Sequence, residues 1–455
     1  MSKERAAGKP QHDSIEANPI AVQTLNTGST APQAVESVAE EAPRRTPPWL
    51  ALEHRDFRLI WAGNFVSQLG TQMQVAAIGV QLWDLTHDYA ALGLRGLFRL
   101  IPVLALSLFG GVVADALDRR KLLLVTQSTM ALVSLTMGIA TVSGQVSAAL
   151  IYGLTAVAAS AIAFDNPARG AIIPNLVPRR HLPNALSLNI ITWQVATIVG
   201  PVVASPLFAY HATGFAIIYW LDAMSFAGVI FALLVMKTRP QVMPTRDVSI
   251  KAALEGLRFL KRTPIIMSTM MLDFFATLFG TATVLIPAFA EQVLQVDRKL
   301  WGLLYAAPAA GALAAGLIMS GLSNVRYQGR VVLVSVAAYG LATVVFGLST
   351  DFWLTLLALA GTGAADTVSM VMRQTIRQLS TPDELRGRMT SLNMVFYMGG
   401  PQLGEFEAGM VAKLIGLGPS VALGGVAVVA ITTLVGYLVP SLRNYDAYAE
   451  MRRRG

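Results

Sequence analysis

The sequence predicts an all-α membrane protein of twelve transmembrane helices in two pseudo-symmetric six-helix bundles, and three observations carry that expectation. Of its 455 residues 54% are hydrophobic and 14% charged, with mean hydropathy +0.54, far from a soluble domain of this length. From Phe57 to about residue 440, apolar stretches of spanning length follow one another, separated by short polar turns. Positive charge gathers in alternate turns, as it does on the cytoplasmic side of a multi-pass protein.

Residues 1–50 are polar, small and proline-containing, end in Arg44-Arg45-Thr46-Pro47-Pro48, and lack the apolar run of a signal peptide. They read as a disordered cytoplasmic tail. Spans at about 57–82, 90–113, 122–143, 147–165, 185–209 and 214–236 make a first six-helix bundle within 51–236. A linker, 237–263, follows. In it Ile250, Leu254 and Leu257 recur at helical spacing, with Lys251, Arg258, Lys261 and Arg262 on other faces. That pattern suits either an amphipathic helix at an anionic membrane surface or a solvated linker helix. Spans at about 264–289, 300–322, 331–349, 352–372, 390–414 and 420–440 make the second bundle, 264–440, before a cytoplasmic C-terminal tail, 441–455. Pro102, Pro201, Pro308 and Pro401 fall inside spans, where neighbouring helices can satisfy the freed backbone groups.

Of 35 Lys and Arg, 30 fall on the side of the tail, three on the other (Arg298, Lys299 and Lys413), and Arg95 and Arg99 lie within the second span. Both termini are therefore expected in the cytoplasm of an inner-membrane protein. The net charge of +8 is accounted for by these turns, so no nucleic-acid partner is implied. The absence of cysteine removes disulfides, thiolate catalysis and Cys-ligated metal sites. A loose internal repeat relates Asp165, Arg169 and the run 182–189 to Asp366, Arg373 and the run 385–393, as in a transporter whose halves rock about a central site.

One turn is distinctive. Between the second and third spans the chain reads Gly111-Val-Val-Ala-Asp115-Ala-Leu-Asp118-Arg119-Arg120-Lys121, and five charges in seven residues require a tight loop at a membrane face. This run resembles the signature of major facilitator superfamily transporters, with Asp118 standing where a small residue is usual. Phe57-Arg58 with Trp61, Gly63 and Ser67, then Phe164-Asp165-Asn166-Pro167-Ala168-Arg169, Asn184 to Asn189, and Gly200-Pro201 are similar to the branch of enterobactin exporters and related efflux proteins. The resemblance covers nearly everything after residue 55. It implies that Asp115, with Arg119 and Arg120, locks an inner gate against the N-terminal end of the eleventh helix, where a carboxylate gains from the dipole. It also implies an antiporter-like motif of spaced small residues around Gly200-Pro201, here in a degenerate form.

Ionisable groups inside spans are functional candidates because their burial is expensive. Arg95 and Arg99 share a helix face roughly 8 and 14 Å from the outer end of the second span at 1.5 Å per residue. Glu405 and Glu407 lie in the outer half of the eleventh, and these helices meet across the interface in the superfamily. Arg95, Arg99, Glu405 and Glu407 are the candidates for an outer gate, with a pair of Arg99 and Glu405 or Glu407 favoured; the alternative is that Arg99 binds helix-end carbonyls or an anionic cargo. Asp222, Asp273, Glu405 and Glu407 are candidates to carry a proton, with satisfaction by a neighbouring hydroxyl or amide as the alternative for each aspartate. Asn64, Gln68 and Gln72, part of an unusually polar first span, and Trp193 are candidates to line the cavity. Asp165 with Arg169, spaced i, i+4, and their echoes Asp366 and Arg373 are read as inner helix-end pairs, functional or purely structural.

No Gly-x-x-x-x-Gly-Lys-Ser/Thr loop occurs, so a gradient rather than ATP is the expected energy source, and no cofactor is implied. No His-Glu-x-x-His or Gly-x-Ser-x-Gly occurs and the five His are scattered, which argues against an intramembrane enzyme and any metal site. The expectation is a secondary transporter working by alternating access. It is a proton-coupled exporter of a small amphipathic molecule such as a drug or siderophore, with membrane lipid around it. A nutrient importer or facilitator of the same fold, or a non-transporting sensor, are the other readings.

Overall fold

Stretches that cross hydrocarbon must satisfy their backbone hydrogen bonds internally, which selects helices. The computed structural model describes residues 48–237, 257–322, 325–382 and 385–446, with the side chains of 48, 107–116, 387, 388, 391 and 395 left outside. Most of the expected N-terminal tail, most of the linker and the last residues of the C-terminal tail lie outside the described residues. No strand occurs among those described.

After a short turn, Pro48–Glu53, the first half runs as α1 (Arg55–Thr86), α2 (Tyr89–Ala116), α3 (Arg119–Val142), α4 (Ala148–Ile172), α5 (Leu182–Ala204) and α6 (His211–Val235). The second half begins with α7 (Pro264–Gly280), continued by α8 (Ile286–Gln292). It goes on through α9 (Trp301–Gly321), α10 (Gln328–Leu348), α11 (Phe352–Ser380), α12 (Arg386–Ile415) and α13 (Leu417–Leu438) to a last turn, α14 (Pro440–Arg443). Short polar caps start several helices: the Ser147 hydroxyl accepts from the Leu150 N–H, and Asp351 accepts from that of Leu354. Gly416, at φ 91°, makes the sharp joint between α12 and α13 that a side chain would strain.

With α7 and α8 counted as one span, twelve spans occur among the described residues. Nine segments there are long and apolar enough to cross a membrane, one of them, Arg179–Val235, holding both α5 and α6. The two spans outside that apolar set are α1 and α12, and both carry the polar groups of the site. The seventh span differs from a single expected helix. It breaks after Gly280, passes through the turn Thr283–Leu285, and restarts at Ile286, where Pro287 in the first turn cannot extend a preceding helix.

Packing repeats between the halves. In the first, α1 meets α5 and α6, α3 meets α4 and α6, and α2 meets α4; in the second, α7 meets α12 and α13, α10 meets α11 and α13, and α9 meets α11. Across the halves α2 meets α12 and α5 meets α9, two contacts that exchange under the same operation. Small residues allow these approaches where lipid offers no hydrophobic drive. A Cβ on Gly93 would lie 2.8 Å from the Glu405 carbonyl oxygen, one on Gly409 would lie 2.5 Å from that of Tyr89, and Gly96 sits against Gln402 in the same seam. Gly302 lies against Pro201 in the α5–α9 seam.

Candidate functional site

A cavity of about 380 Å³ lies between the halves, walled by Arg99 and Trp193 on one side and Tyr339, Asp366, Tyr397 and Gln402 on the other. The break after Gly280 contributes Thr281 and Thr283 to the wall. A smaller cavity of about 90 Å³ inside the first half is lined by Thr71, Gln74, Arg95 and Arg99, so the Arg99 side chain borders both.

The ion pair across the α2–α12 seam joins Arg95, not Arg99, to Glu405: Nη2 lies 3.5 Å from Oε1, with both side chains largely buried. Arg95 also donates from Nη1 to the Val75 carbonyl at 3.2 Å. The reason is level. With Gly93 and Gly96 drawn against Glu405 and Gln402, the antiparallel crossing sets residue 95 opposite 405, one turn outward of 99. Glu407, two residues on, points elsewhere and has no ion pair or side-chain hydrogen bond among the described residues. Arg99 likewise has neither, although Glu405 lies within its electrostatic reach.

Asp222 on α6 is fully buried and meets only hydroxyl donors: Ser134 Oγ at 2.6 Å and Thr71 Oγ1 at 3.3 Å. Gln74 donates to Ser134 at 2.8 Å, extending the chain back to the small cavity. Gly70 makes room, since a Cβ there would lie 2.8 Å from Asp222 Oδ1. The polar run of α1 is therefore mostly glue rather than open cavity lining. Asn64 is buried; Gln72 Nε2 donates to Thr197 of α5 at 2.6 Å; Gln81 links Thr141 and Tyr219; and neither Asn64, Gln68 nor Gln72 borders the larger cavity. Hydrophobicity alone cannot separate a side chain facing a void from one facing another helix. Of the four cavity candidates, Trp193 is the one in the cavity wall.

In the second half Arg373 is buried between two acids, with Nη2 2.7 Å from Asp273 Oδ1 and 3.3 Å from Asp366 Oδ1. Asp273 is thus held by a guanidinium from another helix. Asp366 corrects the helix-end reading: it sits midway along α11, half exposed in the cavity wall. Arg377 bonds Asn393 of α12, tying the same cluster to the next helix.

At the end carrying the described termini, Asp165 is buried and accepts from Thr126 Oγ1 at 2.8 Å, Gln127 Nε2 at 2.7 Å, and Arg169 through Nε and Nη2 at 3.0 and 2.7 Å. Asp118 caps α3, accepting from the N–H groups of Arg120 and Lys121. That accounts for an acid where the family signature has a small residue. Arg119 Nη1 donates to the Ala171 carbonyl at 3.3 Å and Arg120 Nη2 to that of Leu234 at 2.9 Å, each at a helix end. The side chain of Asp115 and the surroundings of Gly111 lie outside the described residues. Gly200 packs on Gln72 and Leu69 of α1, and Pro201 faces α9, so this motif sits where α1, α5 and α9 converge.

The opposite end carries a belt that sequence reasoning missed. Arg298 grips Asp84 of α1 with Nη1 and Nη2, both at 2.7 Å; Lys413 Nζ donates to Asp88 at 2.9 Å; and the Trp83 indole bonds Glu291. The Ser205 hydroxyl donates to the Arg298 carbonyl at 3.0 Å. Each contact joins the first half to the second. The hydrogen bond from Lys413 holds the Asp88 carboxyl below its usual range, and that to Asp84 raises the Arg298 guanidinium above its own. One signal was available: Arg298 and Lys413 are two of the three basic residues on a side otherwise free of them.

Comparison with known proteins fits this geometry. The family described as "Transmembrane secretion effector" matches residues 46–454. The chain is 26% identical over 395 residues to the enterobactin exporter EntS of Citrobacter koseri, covering 86% of this chain and 94% of that protein, with the same figures for EntS of Escherichia coli K12. In fold it is similar to a bacterial homologue of the human lysosomal transporter Spinster (TM-score 0.64, 14% identity, 88% of this chain and 99% of the other). It is also similar to a bacterial homologue of the iron transporter ferroportin (TM-score 0.63, 14% identity, 83% and 99%). These relatives are transporters rather than enzymes. With its twelve spans, its paired halves and a cavity between them, the chain belongs to the transmembrane secretion effector family of major facilitator transporters.

Proposed function

We propose that the protein is a secondary active exporter that moves a small amphipathic molecule out of the cytoplasm by alternating access, coupled to protons. The observation that carries this reading is a cavity of mixed aromatic and charged character between two halves that are tied together at one end. The basic bias assigns the end bearing the termini to the cytoplasm, so the belt of Asp84, Asp88, Arg298 and Lys413 faces outward and closes the outer mouth. Bundles spanning 51–236 and 264–440 rock about the cavity, with the linker 237–263 between them. When the belt opens, Asp115, Arg119 and Arg120 lock the inner side, and Arg95 with Glu405 is the seam contact that must part.

Asp222 is the favoured proton carrier. Its ionised form has no counter-charge among the described residues, while Ser134, Thr71 and Gln74 lead from it to the cavity shared with Arg99. Asp273, by contrast, already has Arg373. The relatives' role as enterobactin exporters supports a siderophore-like or drug-like cargo. The test is a comparison of secreted metabolites and drug susceptibility between a deletion strain and its complemented parent. Loss of a secreted compound, or new sensitivity, restored by the gene supports export; identical secretion and susceptibility count against it.

A further inference from the structure

We propose that the cavity selects an aromatic anion and that Arg99 is the group that recognises it, an inference that rests on the transport reading and names its cargo class. The charges around the cavity do not balance. In the second half Asp366 of the wall and Asp273 behind it face Arg373 and Arg377, two acids for two guanidiniums. Around the α2–α12 seam Arg95 and Arg99 share one carboxylate, Glu405, and the direct contact belongs to Arg95. The excess positive charge therefore sits on Arg99, whose guanidinium makes no hydrogen bond or ion pair among the described residues while its side chain borders both cavities. A guanidinium that reaches a cavity with no fixed protein partner is available to a ligand, and its planar fork of donors is suited to a carboxylate or another flat anion.

The rest of the wall specifies the remainder of the ligand. Trp193, Tyr339, Phe346 and Tyr397 present rings around the same space, and a volume of about 380 Å³ suits a compact aromatic molecule. Trp193 stands half exposed, free to stack. Asp366, the one acid in this wall, is already ion-paired to Arg373 and is thereby a poor receptor for a cationic amine. Gly280 lets Tyr339 approach the break in the seventh span, which sets the ring at the cavity edge.

The test uses purified full-length protein titrated with 2-naphthoate, its methyl ester and 2-naphthylmethylamine, which share a ring and differ in charge. Naphthoate is expected to bind at least about tenfold tighter than either of the others. Arg99→Gln should lower naphthoate affinity by about tenfold or more while leaving the ester's unchanged, and the retained ester binding shows that the variant is folded. Arg99→Lys, which keeps the charge, should keep the ranking of the three. Equal or tighter binding of the ester or amine by the wild type overturns the inference, as does an anion preference that survives Arg99→Gln. The same compounds offered to proteoliposomes separate the two readings. Naphthoate that binds through Arg99 but is not moved preserves the inference and removes the transport reading, whereas transport of the amine without the anion does the reverse.

Discussion

Replacing Gly93 with alanine should prop open the seam between α2 and α12. The added Cβ would lie 2.8 Å from the Glu405 carbonyl oxygen and 3.0 Å from that of Phe406, against about 3.3 Å for a relaxed carbon–oxygen contact. Both obstacles are backbone, so the helices must separate by roughly half an ångström or bear the overlap. Overpacking of this kind costs about 1–3 kcal/mol. The gain in helix propensity, about 0.5–1 kcal/mol, is common to both states because α2 stays helical, so it cancels. The overlap exists only with the outer end closed, and a bias of about 1–3 kcal/mol changes the ratio of states by about 5- to 150-fold. The natural chain has no cysteine, so a single Thr362→Cys in the cavity wall reports access. An impermeant maleimide added outside intact cells should label it several-fold faster in the Gly93→Ala background. Gly153→Ala, in α4 with nothing within 4 Å of the added atom, is the matched control and should label at the parent rate. Equal rates in all three chains would refute the closed seam.

Asp84→Asn breaks the bidentate grip of Arg298; with both side chains about one-fifth exposed, the loss should be about 1–2 kcal/mol and raise the same labelling rate about 5- to 30-fold. Because Lys413 depresses Asp88, that contact contributes above the usual aspartate range and is lost only as pH falls through the lowered value; in an Asp222→Asn background, labelling relative to a fully exposed reference cysteine, which removes the thiol's own titration, should thus be flat between about pH 5 and 8. Asp222→Asn should bind cargo as the parent does but fail to concentrate it, measured by binding and vesicle accumulation side by side; accumulation at the parent level removes Asp222 as the carrier. Arg373→Met leaves Asp273 and Asp366 without their shared partner and should cost about 3–5 kcal/mol, seen as a lower melting temperature in detergent, which Asp273→Asn in the same chain partly restores.

The twelve spans were legible because hydrocarbon thickness imposes a length that any apolar run reveals. The break after Gly280 was not, since Thr281-Ala282-Thr283 is apolar enough to pass as helix and the signal lies in Pro287 just beyond. Depth matching brought α2 and α12 together and offered both Arg95 and Arg99 as gate candidates, but favoured Arg99 where the structure pairs Arg95, because the level of a helix crossing is set by where backbones can approach. Gly93, Gly96 and Gly409 held that information. Asp366 was read from its place in a repeat and so put at a helix end, when its position midway along α11 puts it in the cavity wall. The outer belt escaped because its partners are more than 200 residues apart, Asp84 with Arg298 and Trp83 with Glu291, and no local pattern joins them.

Proton-driven export through the central cavity is tested most directly in inverted membrane vesicles from cells producing the protein, with whichever naphthalene probe binds it added outside. Acidifying the lumen should drive uptake of the probe above its outside concentration, an uncoupler should abolish that accumulation, and Asp222→Asn should lack it. Uptake that ignores the pH gradient, or an acid lumen that drives the probe out instead, would contradict the account.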